Sequence, residues 1–462
     1  MASVDLSSEA LPISVLDRSR VTENGHGDLD IASLAVRPPM GWNSWDAFGV
    51  SVTEDEIRKN AEFVAERLAE CGWEYVVVDL GWFSPSATVD CYKRRGLEQL
   101  IDEHGRLIPD PVKFPSSAGG AGFGPLADFV HGLGLKFGIH IMRGIPWQAS
   151  ARDTPVLGSH ETAADISQPL DGCPWYGNMD GVNMTREGGW AYYESLASLY
   201  ASWGVDFIKA DDMNSWDGEG LYSPYHTDEI EGLRRGIDLT GRPMVLSLSP
   251  GAAEVTNSAH LRRHANMWRI SADFWDDWES LKAQFPRAAT WAPYQTTVHW
   301  PDADMLPLGK IGIRGEIGSA RDSNFSHDER ITLMSLWAIM RSPLMVGGHL
   351  PQTPADTIDL LVNRDVIDVN QNGSGPREIS ADYDGIVVWA SDAGNSDDRN
   401  IGIFNLSDDH REVAIDLVDC GVSGATTAVN LWSGTPVDCA GDRLSVNLAP
   451  HASGLYRLVR AV

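Results

Sequence analysis

From about residue 37 the chain alternates short apolar runs with longer amphipathic stretches. The runs are Met40 to Trp45, Tyr75 to Asp79, Leu135 to Ile141, Val205 to Ala210, Met244 to Leu248, Met267 to Ile270, a weaker one near Thr297 to Trp300, and Leu344 to Gly347. Runs this short, rich in β-branched and aromatic residues, read as buried strands. The stretches between them carry helical signals. Thr53 to Glu70 opens on Thr53 with Glu56 three residues later, the spacing of a capping box, and His327 to Arg341 precedes the last run. Strand and helix in strict alternation predict βα units around a parallel sheet, and eight such strands predict a closed (β/α)8 TIM barrel rather than an open sheet.

After about Asn370 the texture changes to short strands and turns: Gly385 to Ala390, Ile401 to Leu406, Val413 to Leu417, Ala428 to Trp432 and Gly454 to Leu458. This pattern predicts an antiparallel β-sandwich. The α/β chain therefore divides into an N-terminal arm over 1–36, a catalytic barrel over 37–365 and a C-terminal antiparallel β domain over 366–462.

A formal charge of −29 argues against a nucleic-acid backbone or an anionic membrane as partner, since a phosphate-binding surface needs positive potential. A neutral substrate fits better. No run of 18 or more apolar residues and no basic N-terminal segment with an apolar core is present, so neither a membrane span nor a signal peptide is expected. Cys71, Cys91, Cys173, Cys420 and Cys439 are odd in number and form no CxxC pair, which suits a reducing, cytoplasmic compartment; Cys420 and Cys439 could pair only if the fold brought them together. Seventeen tryptophans supply both core volume and flat rings suited to stacking on sugars.

Catalytic groups of a TIM barrel stand at the C-terminal ends of its strands. Here those ends read Trp45 with Asp46, Asp79, His140 with Arg143, Lys209 with Asp211 and Asp212, Ser249, Arg269 with Asp273, and Asp302 with Asp304. Lys209 and Asp211 are two apart on an extended strand and share a face, so the ammonium should keep the carboxylate ionised, as a nucleophile requires. An ordinary strand-end ion pair fits that segment too. Asp273 follows Arg269 into a loop where Trp275 or Trp278 could shield it and raise its pKa, as an acid catalyst requires, although a solvated loop acid reads equally well. Asp302 and Asp304 share a face and could accept from sugar hydroxyls. Metal ligation by these carboxylates with His140 and His299 is the competing reading, against which no HxH or HExxH spacing occurs. Among Trp42, Trp45 and Trp82, one is expected to form a sugar platform and the others core.

In combination these segments resemble glycoside hydrolase family 27, the retaining α-galactosidases and α-N-acetylgalactosaminidases. Met40-Gly-Trp-Asn-Ser-Trp45, Lys209-Ala-Asp211, Trp268-Arg-Ile-Ser-Ala-Asp273 and Asp302-Ala-Asp-Met-Leu306 carry the resemblance. It implies Asp211 as nucleophile, Asp273 as acid/base, and Trp45, Asp79, Lys209, Arg269 and Asp304 as contacts to the sugar, with His140, Ser249 and Asp302 also placed at the substrate. It implies no cofactor and no metal. Two carboxyl groups acting by retention must lie about 5–5.5 Å apart, so both must reach one pocket.

Departures from the family pattern bear on the sugar. Leu80 follows Asp79 where α-galactosidases commonly carry a second Asp for the O4/O6 side, which would suit a pentopyranose unless Arg143 or Asp46 compensates. His140 stands where many members have Tyr, Met213 where a disulfide cysteine is common, and Ser249, followed by Pro250-Gly251, where Glu marks galactosidases and Ser the N-acetylgalactosaminidases. The expected activity is exo-hydrolysis of terminal α-galactosyl residues from an oligosaccharide or glycoside; β-L-arabinopyranosidase and α-N-acetylgalactosaminidase are the alternatives within the family, and a non-catalytic carbohydrate-binding protein the alternative outside it. A homo-oligomer is compatible with this reading.

Overall fold

The computed structural model describes residues 31–215, 222–249, 251–394, 398–423 and 426–460. Eight parallel strands form its first sheet: β1 (Met40–Asn43), β2 (Tyr75–Val78), β3 (Lys136–Met142), β4 (Phe207–Asp211), β5 (Val245–Leu248), β6 (Met267–Arg269), β7 (Trp300–Asp302) and β8 (Leu344–Val346). They pair in chain order from β1 to β7, and β8 pairs with β1. The ring closes just beyond β7, where Leu306 N–H donates to Met345 O at 2.8 Å and Gly347 N–H to Leu306 O at 3.0 Å. The TIM barrel is thus complete, and each expected run contributes a strand.

The weakest run is displaced. Val298 N–H donates to the Thr296 hydroxyl at 3.3 Å and that hydroxyl meets His299 Nδ1 at 2.8 Å. This local turn occupies the predicted strand, and pairing starts only at Trp300.

Strand alternation explains both core and site. Inward positions run from apolar at the bottom to polar at the top: Tyr75, Val77, then Asp79; Phe207, Lys209, then Asp211; Met267, then Arg269; Trp300, then Asp302. The bottom layer packs as one cluster with Ala35, and Trp300 Nε1–H donates to Ala35 O at 2.8 Å. The last described residues of the expected arm therefore plug the barrel floor; residues 1–30 lie outside the described part. Gly41 takes the inward position beside Tyr75 on β1, where a Cβ would fall 2.5 Å from Tyr75 O.

Among the outer helices, α1 (Glu54–Phe63) begins where expected, with the capping box of Thr53 and Glu56 formed: Thr53 N–H donates to Glu56 Oε2 at 3.0 Å, and the Thr53 hydroxyl also reaches that oxygen at 2.9 Å. Its α geometry ends at Phe63, and a π turn and a 3-10 turn carry the remainder to Cys71. The other helices used below are α2 (Glu187–Ser202), α3 (Thr227–Thr240), α4 (Ser258–His264), α5 (His327–Met340) and α6 (Arg364–Asn372). Helix α6 spans the junction expected near residue 365, and Asn370 Nδ2 donates to Trp337 O and Ser342 O, fastening it to the barrel.

The C-terminal part forms a six-stranded antiparallel sheet of Ser374–Ala381, Ile386–Asp392, Arg399–Asn405, Ser453–Arg460, Thr426–Asn430 and Pro436–Asp438, faced by the pair Arg411–Asp416 and Arg443–Leu448. Val388, Ile401, Ile403 and Leu444 fill the space between these sheets, while Val387, Trp389, Phe404 and Leu455 on the opposite face join the barrel core. Trp278, expected near Asp273, instead stacks on His451 at 3.8 Å across this junction.

Candidate active site

At the C-terminal mouth of the barrel opens a cavity of about 300 Å³. Asp79, Lys209, Asp211, Arg269, Asp273 and Asp304 line its charged side, and Trp45, Leu80, Tyr92, Trp175, Phe274 and Trp275 its apolar side. Trp42 and Trp82 are core residues: their indole N–H groups donate to Gly348 O and His140 O. Trp45 is therefore the one of the three that faces the cavity.

Asp211 ends β4 and both of its oxygens are engaged. His140 Nε2 lies 3.0 Å from Oδ2, and Ser249 Oγ–H donates to Oδ1 at 2.9 Å. His140 and Ser249 are fully buried and stand behind the carboxylate rather than on the cavity wall. Lys209 does not touch Asp211: its Nζ donates to Asp79 Oδ2 at 2.9 Å, which also accepts from Asn43 Nδ2 at 2.7 Å. Burial pushes the Asp211 carboxyl up, but the hydrogen bond and electrostatic pull of His140, with the Lys209 ammonium behind them, outweigh it and leave the pKa below the ordinary value. Asp79 behaves alike, with Lys209 the largest pull against burial. The nucleophile candidate is thus ionised at neutral pH, by His140 first and by the Lys209 of its flanking sequence second.

Asp212 turns away from the cavity at φ 60°, a conformation non-glycine residues seldom adopt. It is held by Arg143 Nε at 2.9 Å and by the Ser223 hydroxyl at 2.8 Å. Arg143 also pairs with Glu229 of α3 and donates to Asp171 O. This buried network anchors the end of β4 and keeps Arg143 off the cavity wall, so Arg143 cannot compensate for Leu80.

Arg269 ends β6 and forks between two acids, forming an ion pair with Asp304 Oδ1 at 2.8 Å and donating to Asp273 Oδ1 at 3.1 Å. Asp304 sits at φ 86°, and Phe274 N–H fixes its other oxygen at 2.7 Å. Burial raises the Asp304 carboxyl against the pull of Arg269. Asp273 is 54% exposed at the cavity mouth with Trp275 beside it. Asp302 lies one layer lower, beneath the cavity floor, where burial and then Asp304 push it up to about 7. It thus faces the barrel core instead of the sugar space.

Asp46 lines the cavity, as does Leu80, and packs against Gly347, with Oδ2 unpartnered, and burial followed by the charge of Asp304 holds its pKa well above the usual range. Asp276 and Asp277 serve structure: Asp276 binds Arg321 and Asn324 N–H, and Asp277 caps the helical turn at Ser280 N–H. His299 bonds Thr296 and lies tilted against Trp268. All five cysteines are free.

Tyr92, Trp175 and Glu316 reach the cavity from loops far from the strand ends, Tyr92 OH donating to Glu316 Oε1 at 2.8 Å. No local sequence signal marks them, because a loop residue carries no period that fixes its direction.

Comparison with known proteins now decides the family. The model for alpha galactosidase A matches residues 37–151 and 176–372, and that for the alpha galactosidase C-terminal β-sandwich domain matches residues 383–458. The chain belongs to glycoside hydrolase family 27. It is similar to a family 27 β-L-arabinopyranosidase from Geobacillus stearothermophilus, with 45% identity, a TM-score of 0.90, and coverage of 94% of this chain and 99% of that one. An alpha-galactosidase of Oryza sativa subsp. japonica is 27% identical over 445 residues, 96% of this chain and 87% of the relative. Alpha-galactosidase I from Mortierella vinacea shares the fold at 21% identity and a TM-score of 0.68, covering 93% of this chain and 98% of that one. The protein is therefore a family 27 glycosidase, and among the described residues no helix is long and apolar enough to cross a membrane.

Proposed function

We propose that the protein is a retaining exo-glycosidase releasing terminal β-L-arabinopyranosyl residues, with α-galactosides as slower substrates. The observation that carries the choice of sugar is Leu80, which lines the cavity directly after Asp79. In the family pattern this position faces the O4/O6 side of the sugar. β-L-arabinopyranose has the ring configuration of α-D-galactopyranose without the hydroxymethyl group, so Leu80 covers the bare C5 edge and leaves no polar group unpaired. The similarity to a β-L-arabinopyranosidase, a second structure of which holds arabinose, supports the same sugar. This reverses the order expected from sequence, where α-galactoside came first. The alpha-galactosidase relatives support the second reading.

In the proposed reaction Asp211 attacks the anomeric carbon while Asp273 gives its proton to the leaving oxygen. The glycosyl–Asp211 ester is then opened by water, whose proton returns to Asp273. Asp79 and Lys209 would bind one edge of the ring, Arg269 with Asp304 the other, and Trp45 would pack on its apolar face. Asp273, half exposed at the mouth, can exchange protons with solvent between steps. The five free thiols support a cytoplasmic setting.

The test is a panel of p-nitrophenyl β-L-arabinopyranoside, α-galactoside, α-N-acetylgalactosaminide and α-glucoside, with the first anomer released followed by NMR. The β-L-arabinopyranoside should show the highest kcat/KM and release the β anomer first. Asp211→Ala should lower turnover by about four orders of magnitude or more. Release of the inverted anomer, or survival of activity in that variant, would overturn the mechanism.

A further inference from the structure

Away from the cavity, helices α3 and α4 bring three ligand-type side chains together on the outside of the barrel. His260 and His264 stand one turn apart on α4, with ring centroids 4.1 Å apart and planes tilted by 35°. Glu231 reaches across from α3 to place Oε1 3.2 Å from His260 Nε2. One donor atom from each of the three lies within 4.8 Å of the others.

The hydrogen bonds behind the rings are compatible with ligation through both Nε2 atoms. His264 Nδ1 lies 2.9 Å from His260 O, and a carbonyl can only accept, so Nδ1 carries a proton and the neutral ring offers Nε2. His260 Nδ1 lies 2.6 Å from Tyr225 OH, an oxygen able to accept from Nδ1–H and so leave Nε2 as a ligand. Ligating imidazoles are oriented in this way, by a carbonyl or hydroxyl on the far nitrogen.

We propose that Glu231, His260 and His264 form a binding site for a divalent transition metal of the zinc type. Two imidazoles and one carboxylate suit zinc, whereas calcium and magnesium require oxygen donors throughout. Zinc bonds of about 2.0–2.2 Å demand that the three donors draw closer, with water in the fourth position. His264 is buried and His260 packs on it, while the Glu231 side chain is 41% exposed and supplies the movement. On binding, a neutral His260 moves its proton from Nε2 to Nδ1, its bond to Glu231 gives way to metal bonds, and no proton leaves the site. The ion would tie α3, which follows the strand of Asp211, to α4, which follows β5, and so act on stability rather than on the reacting atoms.

The experiment uses the whole protein, treated with EDTA and dialysed. Zinc is titrated by calorimetry, cobalt(II) by visible absorption, and thermal unfolding is recorded with and without zinc. The expected result is one zinc per chain, a cobalt d–d band typical of four or five ligands, and a higher melting temperature with zinc. Glu231→Gln and His260→Gln should remove all three signals, and Tyr225→Phe should weaken zinc by about tenfold. Glycoside hydrolysis should continue in EDTA. Absence of heat and of a cobalt band with the unmodified protein would overturn the proposal, as would equal stoichiometry in His260→Gln or Glu231→Gln. Should His260→Gln fail to fold by circular dichroism, Glu231→Gln alone decides, since its side chain is partly exposed.

Discussion

Replacing His140 by leucine tests how the protein keeps Asp211, the proposed nucleophile, charged. His140 Nε2 lies 3.0 Å from Asp211 Oδ2, while Nδ1 is buried with no hydrogen-bond partner. A leucine of similar volume therefore removes one polar contact and strands no group on the far side of the ring. The burial that raises the Asp211 carboxyl stays, and the largest influence opposing it is lost. A hydrogen bond to a charged group contributes about 1.5–3 kcal/mol, and about 1.4 kcal/mol corresponds to one pH unit. In the proposed mechanism Asp211 attacks as carboxylate, which fixes the sign: a less stabilised anion takes up its proton at higher pH. The acid limb of the kcat/KM profile should therefore move up by about one to two pH units. On the neutral plateau the loss should be smaller, because Ser249 still holds Oδ1 at 2.9 Å. The assay is kcat/KM on the preferred aryl glycoside from acid to neutral pH, with thermal melts run in parallel. An acid limb that stays in place while the plateau drops would refute the reasoning and reduce His140 to packing.

Leu80→Asp should shift selectivity toward p-nitrophenyl α-galactoside over the β-L-arabinopyranoside by about tenfold or more, the worth of one charge-assisted hydrogen bond to the added hydroxyl; an unchanged kcat/KM ratio would remove Leu80 as the determinant. Asp302, pushed up to about 7 from 3.8, holds its proton in the folded state, so it costs stability as pH rises from its unfolded pKa through 7. That cost reaches about 4 kcal/mol above the window and vanishes below it. Asp302→Asn should therefore raise the melting temperature more at pH 8 than at pH 5, and equal gains at both would contradict the assignment. Arg143→Met leaves Asp212 and Glu229 buried without their cation and should destabilise by about 3–5 kcal/mol; a variant melting like the parent would show that the network does not anchor β4.

Much of this site is legible because a barrel strand has period two and points its last inward residue at the substrate. Asp79, Lys209, Asp211 and Arg269 follow from that rule, as does the ring of eight strands whose apolar runs precede them. The β-sandwich was legible from five of its strands, while Ser374–Ala381, Pro436–Asp438 and Arg443–Leu448 lack an apolar run strong enough to mark them.

Contacts between distant segments were decided only by the tertiary structure. Lys209 could be placed on the face of Asp211, but the choice of Asp79 as its partner depends on how β2 and β4 register across β3. His140 and Ser249, 71 and 38 residues from Asp211, were placed at the sugar by their strand ends; β3 and β5 flank β4 and turn both toward the carboxylate instead. Asp302 shares a strand face with Asp304 in sequence, yet Asp304, at positive φ beyond the strand, reaches the upper cavity as well, while Asp302 lines only the space beneath it. Tyr92, Trp175 and Glu316 arrive from loops with no period at all. Local periodicity determines which residues point inward; which of them meet is set by register, closure and burial, and these exist only once the whole barrel has formed.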